Sequence, residues 1–111
     1  MMRKILFEKS GQITTNNEVI NLKYRLLENE IEIDSAPVKC YGLEIKKTSS
    51  KDNHNLTEVK RIANVFFNKS EALTFLNNIA SGLVTPIGLA DVLEDYITDA
   101  IKSRNRLPIL V

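Results

Sequence analysis

Apolar and polar residues alternate most clearly between Ile20 and Leu26. Ile20, Leu22, Tyr24 and Leu26 are separated by single polar residues. A period of two predicts a strand with one buried face. The short apolar run in residues 3–8 predicts an earlier strand, and the polar residues 10–18 predict the connection between them. The N-terminal part of the chain is therefore expected to be rich in strands.

The phase of the alternation changes after Leu26. The next apolar residues, Leu27, Ile31 and Ile33, fall on odd positions. A change of phase needs a bulge or a turn if the same face is to stay buried. A bulge or bend near residues 28–30, within one long strand, is the first interpretation. A tight turn at the same place is the second.

Two more strands are predicted before the C-terminal third of the chain. The composition of residues 34–37 predicts a turn, and residues 38–48 then alternate with Tyr41, Leu43 and Ile45 on one side. The polar window of residues 48–55 predicts an exposed hairpin loop. Residues 56–65 predict the last strand by their β-branched content. Their apolar residues Leu56, Val59 and Ile62 are spaced by three, so a bulge or a helical alternative stays open.

Residues 65–101 predict two helices with clear ends. Asn68 can cap the first helix, and Glu71 three residues later completes a capping-box pattern. Gly82 is expected to end it, because glycine takes the left-handed conformation cheaply. The buried residues of this helix are predicted to be Ala72, Phe75, Leu76, Ile79 and Ala80.

The second helix is predicted to begin at Thr85 and Pro86, as cap and first helical residue. Its apolar residues recur at helical spacing without interruption and predict one buried stripe: Leu89, Val92, Leu93, Tyr96, Ile97, Ala100 and Ile101. Its other side carries four acidic residues: Asp91, Glu94, Asp95 and Asp99.

This order of elements predicts an α+β fold in a single domain, residues 1–111. We expect an antiparallel sheet of about four strands in the N-terminal half, covered on one face by two C-terminal helices. The strands are predicted at about residues 3–65, the helices at about 69–81 and 86–103, and an apolar tail at 107–111.

Three segments resemble a family of small, uncharacterised bacterial proteins, a domain of unknown function. They read YGLEI at residues 41–45, EVKRIANVFFNKSEALTFL at 58–76 and LVTPIGLADVLEDYI at 83–97. The most specific part is the Val-Thr-Pro start of the second helix with the Asp-Val-Leu-Glu-Asp that follows. The resemblance covers roughly residues 24–97 and implies no activity, cofactor or site residue.

Composition and charge add little to this picture. The chain has 15 basic and 14 acidic residues, so its net charge of +1 gives no general reason to bind nucleic acid or anionic membranes. One cysteine excludes an internal disulfide, and no apolar run is long enough to span a membrane. We therefore expect a cytoplasmic protein.

Catalytic, metal and cofactor sites are not predicted. Cys40 and His54 are the one pair of a nucleophile and a base, and a strand thiol with a solvated loop histidine is the favoured interpretation. The four glycines form no phosphate-binding motif. We expect no cofactor and no metal, and an enzyme with an unrecognised site is the least favoured hypothesis.

Two charged segments are candidates for binding a partner. Asp91, Asp95 and Asp99 share one helical face with Glu94 beside them, which is most often a solvated face and next most often a contact for a basic partner or a second subunit. The basic residues within 46–61 could bind nucleic acid if they converge, although acidic neighbours dilute them. The second helix is acidic, so a DNA-reading helix-turn-helix is excluded.

The tail supplies a third candidate surface, which consists of Leu107, Ile109, Leu110 and Val111. It can add an edge strand or pack on its own core, or it can pack against a second copy, so a homodimer is one interpretation. The leading hypothesis is a non-enzymatic interaction or regulatory module that uses the acidic helix face and the tail. The alternative is a small nucleic-acid-binding protein that uses the hairpin between Lys46 and Arg61.

Overall fold

Four antiparallel strands and two helices follow one another along the chain in a computed structural model. The structure describes residues 4–51 and 54–105. The strands lie in the sheet in chain order, each antiparallel to the next. They are β1 (Lys4–Thr14), β2 (Val19–Ile33), β3 (Ala36–Lys51) and β4 (His54–Phe66), and the helices are α1 (Lys69–Ser81) and α2 (Pro86–Asn105). The predicted α+β fold is confirmed. The tail residues Leu107, Ile109, Leu110 and Val111 lie outside the described residues.

Both helices pack on the same face of the sheet. This face carries the alternating residues predicted to be buried in β2 and β3, and α1 adds its complete predicted stripe. Tyr24 is fully buried, and its hydroxyl donates a hydrogen bond of 2.8 Å to the Val84 carbonyl in the link between the helices. Burial raises the pKa of this hydroxyl to about 12. The opposite face, turned away from α1 and α2, is called the outer face below.

The predicted bulge near residues 28–30 is wrong, and so is the turn. β2 pairs with β3 without a register shift from Val19 to Ile33. The phase of the apolar residues changes because Leu27 lies on the outer face, opposite Gly42, where it is buried as well. When neighbouring residues of a strand are buried on opposite faces, the phase of the apolar residues changes without a bulge.

The hairpins are tighter than the sequence predicts. Asp34 and Ser35 both have positive φ, as a two-residue type I′ turn requires, so β3 begins at Ala36. The polar window of residues 48–55 is mostly strand, because β3 continues to Lys51 and β4 begins at His54. Ladder hydrogen bonds with polar partners hold these residues in the sheet, although none of them is an apolar core residue.

A bulge does occur in β4. It lies after the apolar residues whose spacing of three it was predicted to explain. The register shifts between Tyr41 and Leu43, where Ala63, Asn64 and Val65 lie opposite one residue of β3. Asn64 has a positive φ of 59°, which asparagine tolerates better than most residues. The spacing of Leu56, Val59 and Ile62 therefore means that Val59 lies on the outer face and the other two on the helix side.

The two ends of α1 are determined differently from each other. Asn68 caps the helix as predicted, because its side chain accepts a hydrogen bond of 3.0 Å from the Glu71 N–H. The explanation for Gly82 is wrong, since its φ is −84°. The left-handed residue is Leu83, with φ 52°, and the Val84 N–H bonds to the Ile79 carbonyl as in a Schellman motif.

Candidate interaction surfaces

β4 is an edge strand whose first eight residues are exposed. It is bonded to β3 on one side and lies at the end of the sheet. Every residue from His54 to Arg61 is exposed, including the apolar side chains of Leu56 (68% exposed) and Val59 (51%). An edge strand presents unpaired backbone N–H and C=O groups that can pair with another chain. This stretch of β4 therefore offers both backbone and apolar contacts to a partner.

The first turn of α2 lies beside this edge and adds more apolar surface. A cavity of ≈ 430 Å³ lies between Val59 and its neighbours on β4 and three residues of α2: Pro86, Ile87 and Ala90. Ile87 is 80% exposed, the highest value among the large apolar side chains of the described residues. We call Leu56, Val59, Pro86, Ile87 and Ala90 the β4–α2 edge surface.

The second half of α2 departs from the predicted buried stripe. Leu89 and Leu93 are buried and Tyr96 is half-buried, but Ile97, Ala100 and Ile101 are exposed. Tyr96 still packs on Phe66 and Phe75, but the stripe then continues past the edge of the core. They line a smaller groove of ≈ 170 Å³ together with Val65, Phe66 and Glu71. Burial and, next, a hydrogen bond with Glu71 raise the pKa of the Tyr96 hydroxyl.

The acidic residues of α2 are all exposed, as the sequence predicts for a solvated or contact face. Asp91, Asp95 and Asp99 follow one another by single turns along the helix. Glu94 lies about 100° away from Asp95 around the helix, on the side of the β4–α2 edge surface. Glu94 is also about 60° from Asp91, so it lies beside the aspartate row, and the role of these residues as a contact stays a prediction.

The outer face carries a row of alternating charges across all four strands. Register places Glu8, Arg25, Glu44 and Arg61 side by side. Arg25 donates to Glu8 at 2.7 Å and to Glu44 at 3.2 Å, and Arg61 donates to Glu44 at 2.8 Å. Glu44 is only 4% exposed, so its two arginine partners compensate a buried carboxylate. The row is neutral and internally paired.

The next row of the outer face is different, because Lys23 and Lys46 lie directly opposite each other. Both side chains are half-buried. A cavity of ≈ 400 Å³ lies over this pair, and its other lining residues are Ser10, Gly11, Asn21, Leu22 and Thr48. Like charges directly opposite in a sheet repel, so this arrangement costs stability when nothing is bound.

The basic residues of the β3–β4 hairpin do not converge on one surface. Lys46 and Arg61 lie on the outer face, whereas Lys47 and Lys60 lie on the helix side. Arg61 is paired with Glu44, and Lys47 lies 3.8 Å from Glu58. These positions give no support to nucleic-acid binding through the hairpin between Lys46 and Arg61.

Cys40 and His54 are far apart. Cys40 lies opposite Asn29 and His54 opposite Lys51, so eleven residues of β3, about 36 Å of strand, separate the two positions. The Cys40 thiol is buried and lies 3.0 Å from the Asn64 side-chain oxygen, and burial raises its pKa. A raised pKa makes a thiol less nucleophilic at neutral pH. The interpretation as a strand thiol is therefore supported.

The β4–α2 edge surface and the lysine pair were missed at the sequence level. Leu56 and Val59 differ in position by three, which places them on opposite faces of a strand, and both are exposed on the edge strand β4. Lys23 and Lys46 are brought together by the β2–β3 register alone. The spacing of three within β4 was the one sequence signal of this exposure. A central strand would instead bury the residues of one face consistently.

No helix within residues 4–51 and 54–105 combines the length and apolar content that crossing a membrane requires. In the same residues, no three His, Cys, Asp or Glu side chains form a group that could hold a metal ion.

Comparison with known proteins gives one match, to a sequence family. The family is described as "Family of unknown function (DUF6514)", and its model matches residues 2–99. The match extends to β1, which the sequence resemblance did not include. No curated protein and no solved structure matches the chain.

Proposed function

The chain belongs to this family of unknown function, DUF6514, and we propose that it is a non-enzymatic protein-interaction module that binds a second copy of itself through the β4–α2 edge surface. The observation that carries the proposal is the exposed edge of β4 beside the exposed side chains of Ile87 and Ala90 in α2. Exposed apolar side chains beside the unpaired backbone of an edge strand are typical of interaction sites. The cytoplasmic location predicted from the sequence is part of the proposal.

The backbone of β4 determines the kind of contact. Two copies of an edge strand can pair antiparallel around a twofold axis, which extends the sheet and satisfies the free N–H and C=O groups. Side chains of even and odd residue number lie on opposite faces of β4. The helices of both copies therefore lie on the same face of the joined sheet only if the two residues that face each other have numbers that are both even or both odd. This condition leaves few registers for residues 54–62.

The charges of β4 select one of these registers. With the axis at Val59, Glu58 faces Lys60 of the partner subunit, and the same pair is repeated on the other side of the axis. Leu56 then faces Ile62 of the partner subunit. An axis at Glu58 or at Lys60 would instead place two like charges directly opposite each other, which is unfavourable. Charge complementarity therefore favours pairing centred on Val59.

The first turn of α2 supplies a second layer of contact. Because Ile87 and Ala90 line the same cavity as Val59, they lie near the proposed axis. Pairing of the strands brings this turn of α2 in each copy towards the other, so that Ile87 is covered on both. An apolar contact above a strand pair gives the interface a small core with charged pairs around it.

The proposal is tested by exchanging charges at the two facing positions. We expect Glu58→Lys and Lys60→Glu each to weaken self-association by about tenfold or more, because each creates two like-charge pairs. The double variant Glu58→Lys/Lys60→Glu restores opposite charges and should regain the dimer. Mass is measured by light scattering over a range of protein concentrations, and circular dichroism checks that each variant is folded.

Two controls separate this interface from other effects. Lys47→Gln removes the same 3.8 Å ion pair that Glu58→Lys breaks within one chain, and it should leave the dimer intact. A chain that ends at Arg106 lacks the apolar tail, and it should also remain a dimer. An unmodified chain that is monomeric at all concentrations would contradict the proposal, as would single variants that keep the mass of the unmodified chain.

A further inference from the structure

The row of the outer face that contains Lys23 and Lys46 carries two positive charges and no negative one. The neighbouring row of Glu8, Arg25, Glu44 and Arg61 has no net charge, because its arginines and carboxylates pair with one another. The carboxylates nearest to the lysines are therefore already bound by arginine. The pKa of Glu8 is lowered, mainly by its hydrogen bond from Arg25 and in smaller part by the charge of Lys23.

From this arrangement we propose that the cavity over Lys23 and Lys46 binds a small molecule through a phosphate group. Two ammonium groups held opposite each other repel, and an anion placed between them turns this repulsion into attraction. Lysine commonly binds phosphate as a point charge in proteins. The site is therefore electrostatically prepared for an anion with more than one negative charge.

The other lining residues supply neutral hydrogen-bond donors. Ser10 and Thr48 contribute hydroxyl groups on either side of the lysine pair. Asn21 accepts a hydrogen bond of 3.1 Å from Gln12 through its side-chain oxygen, and its NH₂ group is a further donor. A phosphate accepts hydrogen bonds from all of these donors, and charge-assisted bonds of this kind are the stronger ones.

The size and lining of the cavity narrow the class of ligand. Its volume of ≈ 400 Å³ is larger than a phosphate ion needs and lies in the range of small-molecule sites. Among the described residues, those that line the cavity include no aromatic side chain on which a base could stack. The ligand is thus recognised by its phosphate group, and the expected class is a phosphomonoester of a small polar molecule.

Titration followed by amide NMR tests this site with two probes, inorganic phosphate and glycerol phosphate. We expect both to give saturable shifts of the amides around Lys23, Lys46 and Thr48. Sodium chloride at matched ionic strength should give none that saturate. Lys23→Gln and Lys46→Gln should each weaken binding by about tenfold, since a hydrogen bond to a charged group is lost.

Lys69→Gln is the matched control, because Lys69 is an exposed lysine at the start of α1. It should bind both probes as the unmodified chain does. The spectra also show whether each variant is folded, so a loss of binding cannot be mistaken for unfolding. Shifts that do not saturate, or that are equal in Lys23→Gln and the unmodified chain, would overturn the proposal. Because Lys46 lies opposite Val59, light scattering of the same samples is used to separate phosphate binding from a change in dimer formation.

Discussion

Gly42→Ala is expected to lower the free energy of unfolding by about 3 kcal/mol, the upper part of the usual range for overpacked sites. A Cβ at this position would lie 2.8 Å from the Ala63 Cα and closer still to the Ile62 carbonyl oxygen. Both are backbone atoms of β4 at its bulge, so no side-chain rotation can relieve the clash. The bulge itself would have to move, and urea unfolding measures the cost.

Gly11→Ala is the matched control for this prediction. A Cβ on Gly11 would lie 2.8 Å from Leu83 Cδ2, the end of a flexible side chain that is partly exposed. The leucine can rotate away, so we expect a loss of less than about 1 kcal/mol. Equal stability losses for the two variants would mean that the backbone of β4 does not pass tightly over Gly42.

Phe75→Ala is expected to cost about 4 kcal/mol of stability, within the range for removing a buried phenylalanine. Phe75 is 4% exposed and lies 5.5 Å from Phe66 and 5.1 Å from Tyr96, measured between ring centroids. These rings join α1, β4 and α2, so their removal leaves a cavity at the junction of three elements. A domain with a stability of about 5–15 kcal/mol would be left close to unfolding.

Phe67→Ala provides the comparison, because Phe67 is 60% exposed and precedes the cap of α1. It makes the same chemical change outside the core, and we expect a loss within about 0.5 kcal/mol. Thermal and urea unfolding of the two variants measure the difference. A small loss for Phe75→Ala would contradict the packing of the three rings.

The helices could be predicted from local signals. The cap at Asn68 and the start at Pro86 are confirmed, because hydrogen bonding to the first turn and the fixed φ of proline depend only on neighbouring residues. The α1 stripe is confirmed residue by residue for the same reason. The end of α1 at Gly82 agrees with the prediction, but the left-handed residue is Leu83, which the preference for glycine does not predict.

The sheet was harder to predict, because its details depend on residues far apart in the sequence. Leu27 is buried on the outer face, and the position of the bulge in β4 follows from its pairing with Gly42. The strands β3 and β4 extend further into their hairpin than predicted, because cross-strand pairing holds its polar residues in the sheet. A short segment of one sequence does not show which residues of two strands will pair.

The surfaces also include features that local spacing predicts and features that depend on the whole fold. The exposure of the acidic residues on α2 followed from helical spacing, and their role as a contact stays a prediction. The exposure of Ile97 and Ile101 could not be predicted from helical spacing, since it depends on where the sheet ends beneath α2. Membership of a family of unknown function agrees with the resemblance seen in the sequence, and a bacterial source stays an expectation.

Oxidative cross-linking of a Val59→Cys variant tests the proposed dimer most directly. Pairing centred on Val59 brings the two copies of this residue directly opposite each other, with a Cα–Cα distance of about 4.5–5.5 Å, which a disulfide can span. Cys40 is buried and remains in every variant as an internal control. Leu56→Cys is the matched exposed position, and it lies away from the proposed axis.

We predict that Val59→Cys forms a covalent dimer on a non-reducing gel, while Leu56→Cys and the unmodified chain stay monomeric on the same gel. Glu58→Lys added to Val59→Cys should suppress the cross-link. A failure of Val59→Cys to cross-link, or equal cross-linking of Leu56→Cys, would contradict pairing of β4 in this register.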